Sequence, residues 1–394
     1  MHMRKATSAL VGLLLAGVAA TPAHAETIRS QQWHLDTMKA DDIWKISTGK
    51  GITVAVIDTG VKGIPELEGQ VLPGKDLLAG KAEGDEHTDY DGHGTGIAAL
   101  IAGTGKHPSG DGAYGLAPGV KVLPIRVPNM LEGDNTPSLA SAIRFAADSD
   151  AKVINISQGR SGKAEADRER AEAVKYALSK GKLIFAAAGN SGDGLNEPEY
   201  PAATPGVVGV GAVDAKGEPT KESNHGPQVD LSAPGIDIVM ACTGKTGLCK
   251  THGTSDSSAL ASASAALLWS AHPDWTNNQV LRVLLNTAGK PTDGAQRNDY
   301  IGYGIVRPRI AVPNPGDPGP ADVYPLPDLA AAEGAKNPSP STDGTAPDSA
   351  ATKPAAQAEE KKGGSSLLWI ALGLGACVLI GGAVTAVVVS RNRR

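Results

Sequence analysis

Few aromatic side chains and very few cysteines occur in this sequence: aromatics make up 4% of its 394 residues, and the cysteines number 3. So sparse a cysteine content excludes a fold stapled by a lattice of disulfides. It also makes a structural zinc site a poor reading, because Cys242 and Cys249 have no companion ligand pair at finger spacing. An excess of basic charge is missing too. Lys and Arg total 37 against 42 for Asp and Glu, a net charge of -5, so no face is basic enough to neutralise a run of phosphates, and nucleic acid is excluded as a partner. No heptad or internal repeat is present. What the chain has instead is glycine, 49 residues of it, which suits a domain with many tight turns and backbone packed closely against small side chains. The length allows one large domain with tails.

Long apolar runs occur at the two ends. Arg4 and Lys5 precede the apolar stretch Leu10 to Ala20, and Ala23-His24-Ala25 follows as a small-residue cleavage signature, so residues 1–25 read as a signal peptide. The single Arg-Lys pair favours the general export route over a twin-arginine one. Leu367 to Val389 is apolar and uncharged, long enough at 1.5 Å per residue for a hydrocarbon core of about 30 Å, and predicts a transmembrane helix over 366–390. Arg391, Arg393 and Arg394 follow at once, which places the tail 391–394 in the cytoplasm. Lys361 and Lys362 on the other flank are balanced by Glu359 and Glu360. The expected location is a single-pass cell-membrane protein with its domain on the extracytoplasmic side. In that oxidising space Cys242 and Cys249 can form a disulfide, worth roughly 2 to 3 kcal/mol by loop-closure entropy, while Cys377 lies in the span.

Between the ends, Ile52 to Ile57 is an apolar run ending in Asp58-Thr59-Gly60. Similar runs recur at Val120 to Val127, Lys152 to Ser157, Lys182 to Ala188 and Val207 to Val213, separated by helix-like stretches such as Ser138 to Asp148 and Glu165 to Ser179. Continuous apolar strands alternating with helices predict an α/β fold, a doubly wound parallel sheet with helices on both faces and right-handed crossovers. Working groups in such sheets gather beyond the carboxyl ends of the strands. Residues 26–50 form a polar N-terminal extension, 51–310 the main folded domain, and 311–365 a Pro/Ala-rich linker without apolar periodicity, expected to be an extended spacer.

Three residues stand out: Asp58 at the end of its strand, His93 in Asp-Gly-His-Gly-Thr-Gly, and Ser255 in His-Gly-Thr-Ser. Taken singly they read as a turn closer, a solvated histidine and a helix N-cap. Together they are the groups that acyl transfer to a hydroxyl requires, since a serine needs a base to take its proton and the base needs a carboxylate to fix its tautomer. Their chain order, Asp then His then Ser, is the subtilisin order and not that of chymotrypsin or the α/β-hydrolases.

With the segments AVIDTGV, DGHGTGIAALIAG, AAAGNSG and HGTS in that order from about Gly51 to Val306, the chain resembles the subtilases. The resemblance implies a subtilisin-like serine endopeptidase acting on protein or peptide, with Asp58, His93 and Ser255 as the triad. Asn190 would supply an oxyanion donor, and Ser157-Gln158-Gly159 with Gly189 would pair with the substrate main chain and wall the first specificity pocket. Val127 to Met130 would form the opposite edge. No metal or other cofactor is required for this chemistry; the resemblance allows a structural calcium, although no loop shows a dense carboxylate pattern. The extension, Pro-rich spacer, terminal helix and basic tail further resemble the membrane-anchored mycosins of type VII secretion, with Gln31-Gln32-Trp33 and Gly302-Tyr303-Gly304-Ile305-Val306 as local matches. That likeness implies membrane components of a secretion machine as partners. It also supports an alternative, a structural component with little or no proteolysis.

Two features depart from the family pattern. After Ser255 the helix expected over Asp256 to Ala271 opens with Asp256, Ser257 and Ser258, where subtilases carry mostly apolar residues and a proline. Asp256 is either a helix-start carboxylate held by the dipole or a disturbance to the charge balance of His93. Residues 26–50 are too short for a folded prodomain, and Trp33 and Trp44 are expected to anchor them on the catalytic domain.

Overall fold

Alternate residues of Thr53–Asp58 (β1) are buried on opposite faces of a sheet: Val54 and Val56 in one apolar cluster, Ala55 and Ile57 in another. A strand with both faces covered has to be apolar throughout, which is why the run reads as continuous instead of alternating. The computed structural model describes residues 26–78, 82–129, 137–162 and 168–336. The expected signal peptide, the transmembrane helix and tail, most of the linker, Cys377 and Met130 lie outside the described residues. Among the described residues no helix is long and apolar enough to cross a membrane.

The extension carries three short helices, Ile28–Gln31 (α1), Trp33–Met38 (α2) and Ala40–Ile43 (α3). After β1 come Lys75–Asp76 (β2), His93–Ala102 (α4), Lys121–Arg126 (β3), Pro137–Asp148 (α5), Val153–Ile156 (β4), Arg160–Ser161 (β5), Arg168–Ser179 (α6), Leu183–Ala187 (β6), Glu199–Tyr200 (β7) and Val208–Val213 (β8). The chain continues through Leu231–Pro234 (β9), Ile238–Ala241 (β10), Leu248–Thr251 (β11), Thr254–Ala271 (α7), Asn277–Thr287 (α8), Pro308–Ala311 (α9) and Asp328–Lys336 (α10). Seven strands form one sheet in the order β2-β3-β1-β4-β6-β8-β9, and every pairing in it is parallel. This is the expected doubly wound subtilisin-like sheet. Its winding reverses at β1, so Asp58 ends the strand beside the switch point, where such sheets build their sites.

α5 and α6 cover one face through Ile143, Ala146, Val174 and Ala177. α4 and α7 cover the other, together with the extension. α7 is eighteen residues long and buried over nearly its whole length, and its many Ala and Ser residues let it sit close to the strands. The extension is part of this layer. Leu35, Met38 and Ile43 are core residues, Trp33 Nε1 donates to the carbonyls of Ile236 and Asp237, Trp44 Nε1 donates to Leu116 O at 2.9 Å, and the fully buried Gln32 bonds Tyr114 and Val239. The Cys242–Cys249 disulfide ties β10 to β11, with an S–S distance of 2.04 Å.

The spacer expected from Ala311 does not begin there. Residues beyond 310 remain on the domain, with Val312 and Leu326 buried. Arg282 on α8 donates to the carbonyls of Pro318 and Pro320 at 2.8 Å and to that of Val323. Thr276, Asn278 and Gln279 bond Ala321 and Gly319, and Asp328 accepts from Gly206 N at 2.6 Å. The composition misleads because a proline-rich strap needs no apolar period: its carbonyls are held by side chains of a helix already in place.

Candidate active site

Asp58 is fully buried at the end of β1, and its Oδ1 meets His93 Nδ1 at 2.7 Å. The same oxygen accepts from Thr59 N at 2.8 Å and from Gln158 Nε2 at 3.3 Å. His93 opens α4 after Gly92, whose φ of +88° is a left-handed conformation that glycine adopts without strain. Gly94 is required by proximity: a Cβ there would stand 2.2 Å from Gly60 O.

The turn that carries His93 is fixed by a residue the motif reading did not single out. Asp89 is buried and accepts from Gly92 N and Thr95 N, both at 2.8 Å, and from Thr95 Oγ1 at 2.6 Å. It also accepts from Thr59 Oγ1 at 2.8 Å, which in turn accepts from Gly94 N at 3.0 Å. Asp89 therefore caps α4 and ties it to the exit of β1. An acidic residue just ahead of a glycine-flanked, helix-opening histidine was the available signal.

Ser255 lies in the first turn of α7, which starts at Thr254 and not at Asp256 as expected, so that the helix includes the serine itself. Its hydroxyl donates to Ser157 O at 3.2 Å, so the exit of β4 and the start of α7 touch at the nucleophile candidate. The polar residues that depart from the family pattern are all engaged. Ser257 donates to the carbonyls of Ala233 and Pro234 at 3.0 and 3.2 Å, and Ser258 pairs with Ser157 Oγ at 3.0 Å. Ser262 donates to Asn155 Oδ1 at 3.0 Å while Asn155 Nδ2 reaches Ser157 Oγ at 2.9 Å. A polar seam, not an apolar one, joins the helix to the strand ends.

Asn190 follows β6. Its Oδ1 accepts from Thr254 N at 2.8 Å and from Thr254 Oγ1 at 3.0 Å, which commits the amide oxygen to the residue before Ser255 and leaves Nδ2 as the side chain's donor group. Gly189 is locked beneath it, donating to Thr254 Oγ1 at 3.1 Å. Of the predicted pocket wall, Ser157 and Gln158 send their side chains inward, to Ser258 and to Asp58, and are buried; only their backbone is left for a substrate.

Charge is unevenly set across the site. Burial works against the imidazolium of His93, but the Asp58 carboxylate, its hydrogen bond and the fields of Asp256 and Asp91 outweigh it and lift His93 to about 9. Burial raises Asp256 to about 6, against the Thr251 hydroxyl bond of 2.8 Å and the His93 charge. Asp256 therefore stands in the first turn of α7 as a carboxylate that burial disfavours, and its charge is one of those acting on His93. Among the described residues no cluster of three His, Cys, Asp or Glu side chains is arranged to hold a metal ion.

Comparison with known proteins places the chain. The subtilase family model matches residues 49–304. Mycosin-1 of Mycolicibacterium smegmatis is 32% identical over 332 residues, 71% of this chain and 72% of that protein. Among solved structures, the fold is similar to MycP1 from the ESX-1 type VII secretion system, with a TM-score of 0.65 and 31% identity over 77% of this chain and 91% of that one. It is also similar to a chain of the periplasmic assembly of the ESX-5 inner membrane complex, with a TM-score of 0.62 and 29% identity over 82% of this chain and 90% of that one.

Proposed function

The chain belongs to the subtilase family and is a serine endopeptidase similar to the mycosins, and from that premise we propose that it cleaves protein substrates with an Asp58–His93–Ser255 triad. The observation that carries the proposal is the 2.7 Å contact between buried Asp58 and His93 at the end of β1, beside the start of α7. With Nδ1 committed to the carboxylate, Nε2 is the ring atom left to take a proton. Ser255 attacks the scissile carbonyl, His93 receives its proton and returns it to the leaving amine, and Asp58 stabilises the imidazolium between those steps. The oxyanion is met by the Ser255 backbone N–H in the first turn of α7 and by Asn190 Nδ2. In the resting state the Ser255 hydroxyl is bonded to Ser157 O, so turning it toward His93 is what substrate binding has to bring about.

The apolar termini and the mycosin likeness support anchorage to the cell membrane by residues 366–390, with the catalytic domain outside and a type VII secretion machine as its setting. A second reading, a stabilising component of such a machine with little proteolysis, is favoured by the similarity to a chain of an inner membrane complex. Labelling of the full-length protein with a fluorophosphonate probe separates the two. A working triad labels wild type and not Ser255→Ala or heat-denatured protein, and turnover of Ser255→Ala falls by roughly 10⁶-fold. Folded wild-type protein that stays unlabelled overturns the triad in favour of the scaffold.

A further inference from the structure

The exits of β4 and β6 are separated by a gap, and one side chain fills its base. A Cβ added to Gly159 would stand 2.7 Å from Glu199 Oε2, and one added to Gly189 would stand 2.5 Å from Glu199 Oε1. Each oxygen of a single carboxylate therefore abuts one wall, and each wall is glycine where it does so. Glu199 belongs to β7, which pairs antiparallel with β5 directly after Gly159, so the carboxylate is held by the same short ribbon that continues one wall. The backbone N–H of Asn190 lies near enough to favour its charged form, which puts the carboxylate on the oxyanion side of the cleft. The side chain is partly buried, burial raises its pKa against that one backbone N–H, and among the described residues no cation offsets the burial.

The side chain preceding a scissile bond has to descend from the carbonyl attacked by Ser255 into this gap, because the walls on either side are the segments that hold the substrate main chain and the oxyanion donor. A partly desolvated carboxylate at the base favours a cation there and rejects an acid, and it leaves an apolar side chain facing an unpaired charge. We propose that Glu199 is the specificity-determining residue of this pocket and selects Lys or Arg immediately before the cleaved bond. The inference rests on the protease reading above and adds the substrate class to it.

The test uses the full-length protein and fluorogenic peptides that differ only at the residue before the scissile bond, carrying Lys, Arg, Leu, Phe or Glu. Wild type is expected to show kcat/KM for Lys and Arg above that for Leu by roughly tenfold to a hundredfold, with Glu the poorest. Glu199→Gln should collapse that ratio toward one, Glu199→Asp should keep its sign, and Glu199→Lys should turn the preference toward Glu. Because the ratio is read within one preparation, a variant with lowered overall activity still reports it. Wild type that is labelled by fluorophosphonate yet prefers Leu or Phe, or a ratio that Glu199→Gln does not move, overturns this inference and leaves the triad standing. Absence of labelling overturns the protease reading, and this inference with it.

Discussion

Two buried polar regions of this domain are built in opposite ways. Beneath Ser255 each buried hydroxyl has a partner: Ser257 on the ends of β9, Ser258 on Ser157, Ser262 on Asn155. In the N-terminal extension His34 is fully buried on α2, and neither ring nitrogen has a hydrogen-bond partner. A satisfied network fixes geometry and depends little on conditions, whereas an orphaned imidazole is tolerated only while neutral. The seam beneath Ser255 is thus positioned by partnered hydroxyls, and the extension, packed in the same layer as α4 and α7, carries an imidazole that folding keeps neutral. Substitutions in the first region should move turnover, and those in the second should move folding.

The largest separation is expected at Asn190. Its oxygen is spent on Thr254, which leaves Nδ2 as the group able to donate to an oxyanion. Asn190→Ala should lower kcat by about 10²- to 10³-fold with KM nearly unchanged, the signature of a donor used only in the transition state. Steady-state kinetics on one peptide substrate decide it. A rise in KM with kcat unmoved would reduce Asn190 to a prop for Thr254.

At His34 the effect is on stability. Burial first, and the charge of Arg29 second, lower its pKa from 6.5 to about 3 in the folded protein. A depressed pKa means that the folded state holds fewer protons than the unfolded one between those values. The stability is complete above about pH 6.5 and drains away as pH falls toward 3, at about 1.4 kcal/mol per pH unit. His34→Leu removes the titrating group, so its denaturation midpoint should hold between pH 6.5 and 4.5 while that of wild type declines. Parallel declines in the two proteins would show that other groups set the acid limit.

The candidate site was legible in the sequence because each of its residues borders an apolar run: Asp58 and Asn190 follow buried strands, while His93 and Ser255 open buried helices just after a glycine-containing turn. The parallel sheet was legible for the same reason: strands covered on both faces leave long apolar runs. What was not legible depends on partners far along the chain. Asp89 ties α4 to Thr59 at the exit of β1, Gln158 reaches back to Asp58, and Glu199 takes its place from a two-residue ribbon with no hydrophobic period of its own. The strap after Ala311 has the composition of a spacer because its docking is made by Arg282 and not by buried apolar residues in a repeating pattern. The edge strand β9 and the β10–β11 hairpin leave no strand signal either, being short and placed among glycines and prolines.

The smallest effect is the one that joins the two behaviours, since Asp256 is a titrating group inside the satisfied network. Its Oδ2 is held by Thr251, which Asn can also do, so Asp256→Asn removes charge while keeping the bond. The charge is one of several that raise His93 to about 9. His93 must be neutral to act as a base, so kcat/KM in wild type should climb through neutral pH with its midpoint near 9 and reach its plateau above that. Without the carboxylate the imidazolium is less favoured, its proton leaves at lower pH, and the rising limb should move downward. The variant should therefore be faster than wild type at pH 7 to 8 and equal to it on the alkaline plateau, where both proteins have a neutral His93. Superimposable profiles would leave Asp256 as an anchor for Thr251 alone, and an upward shift would mean that the lost carboxylate mattered more for solvating the site than for charging it.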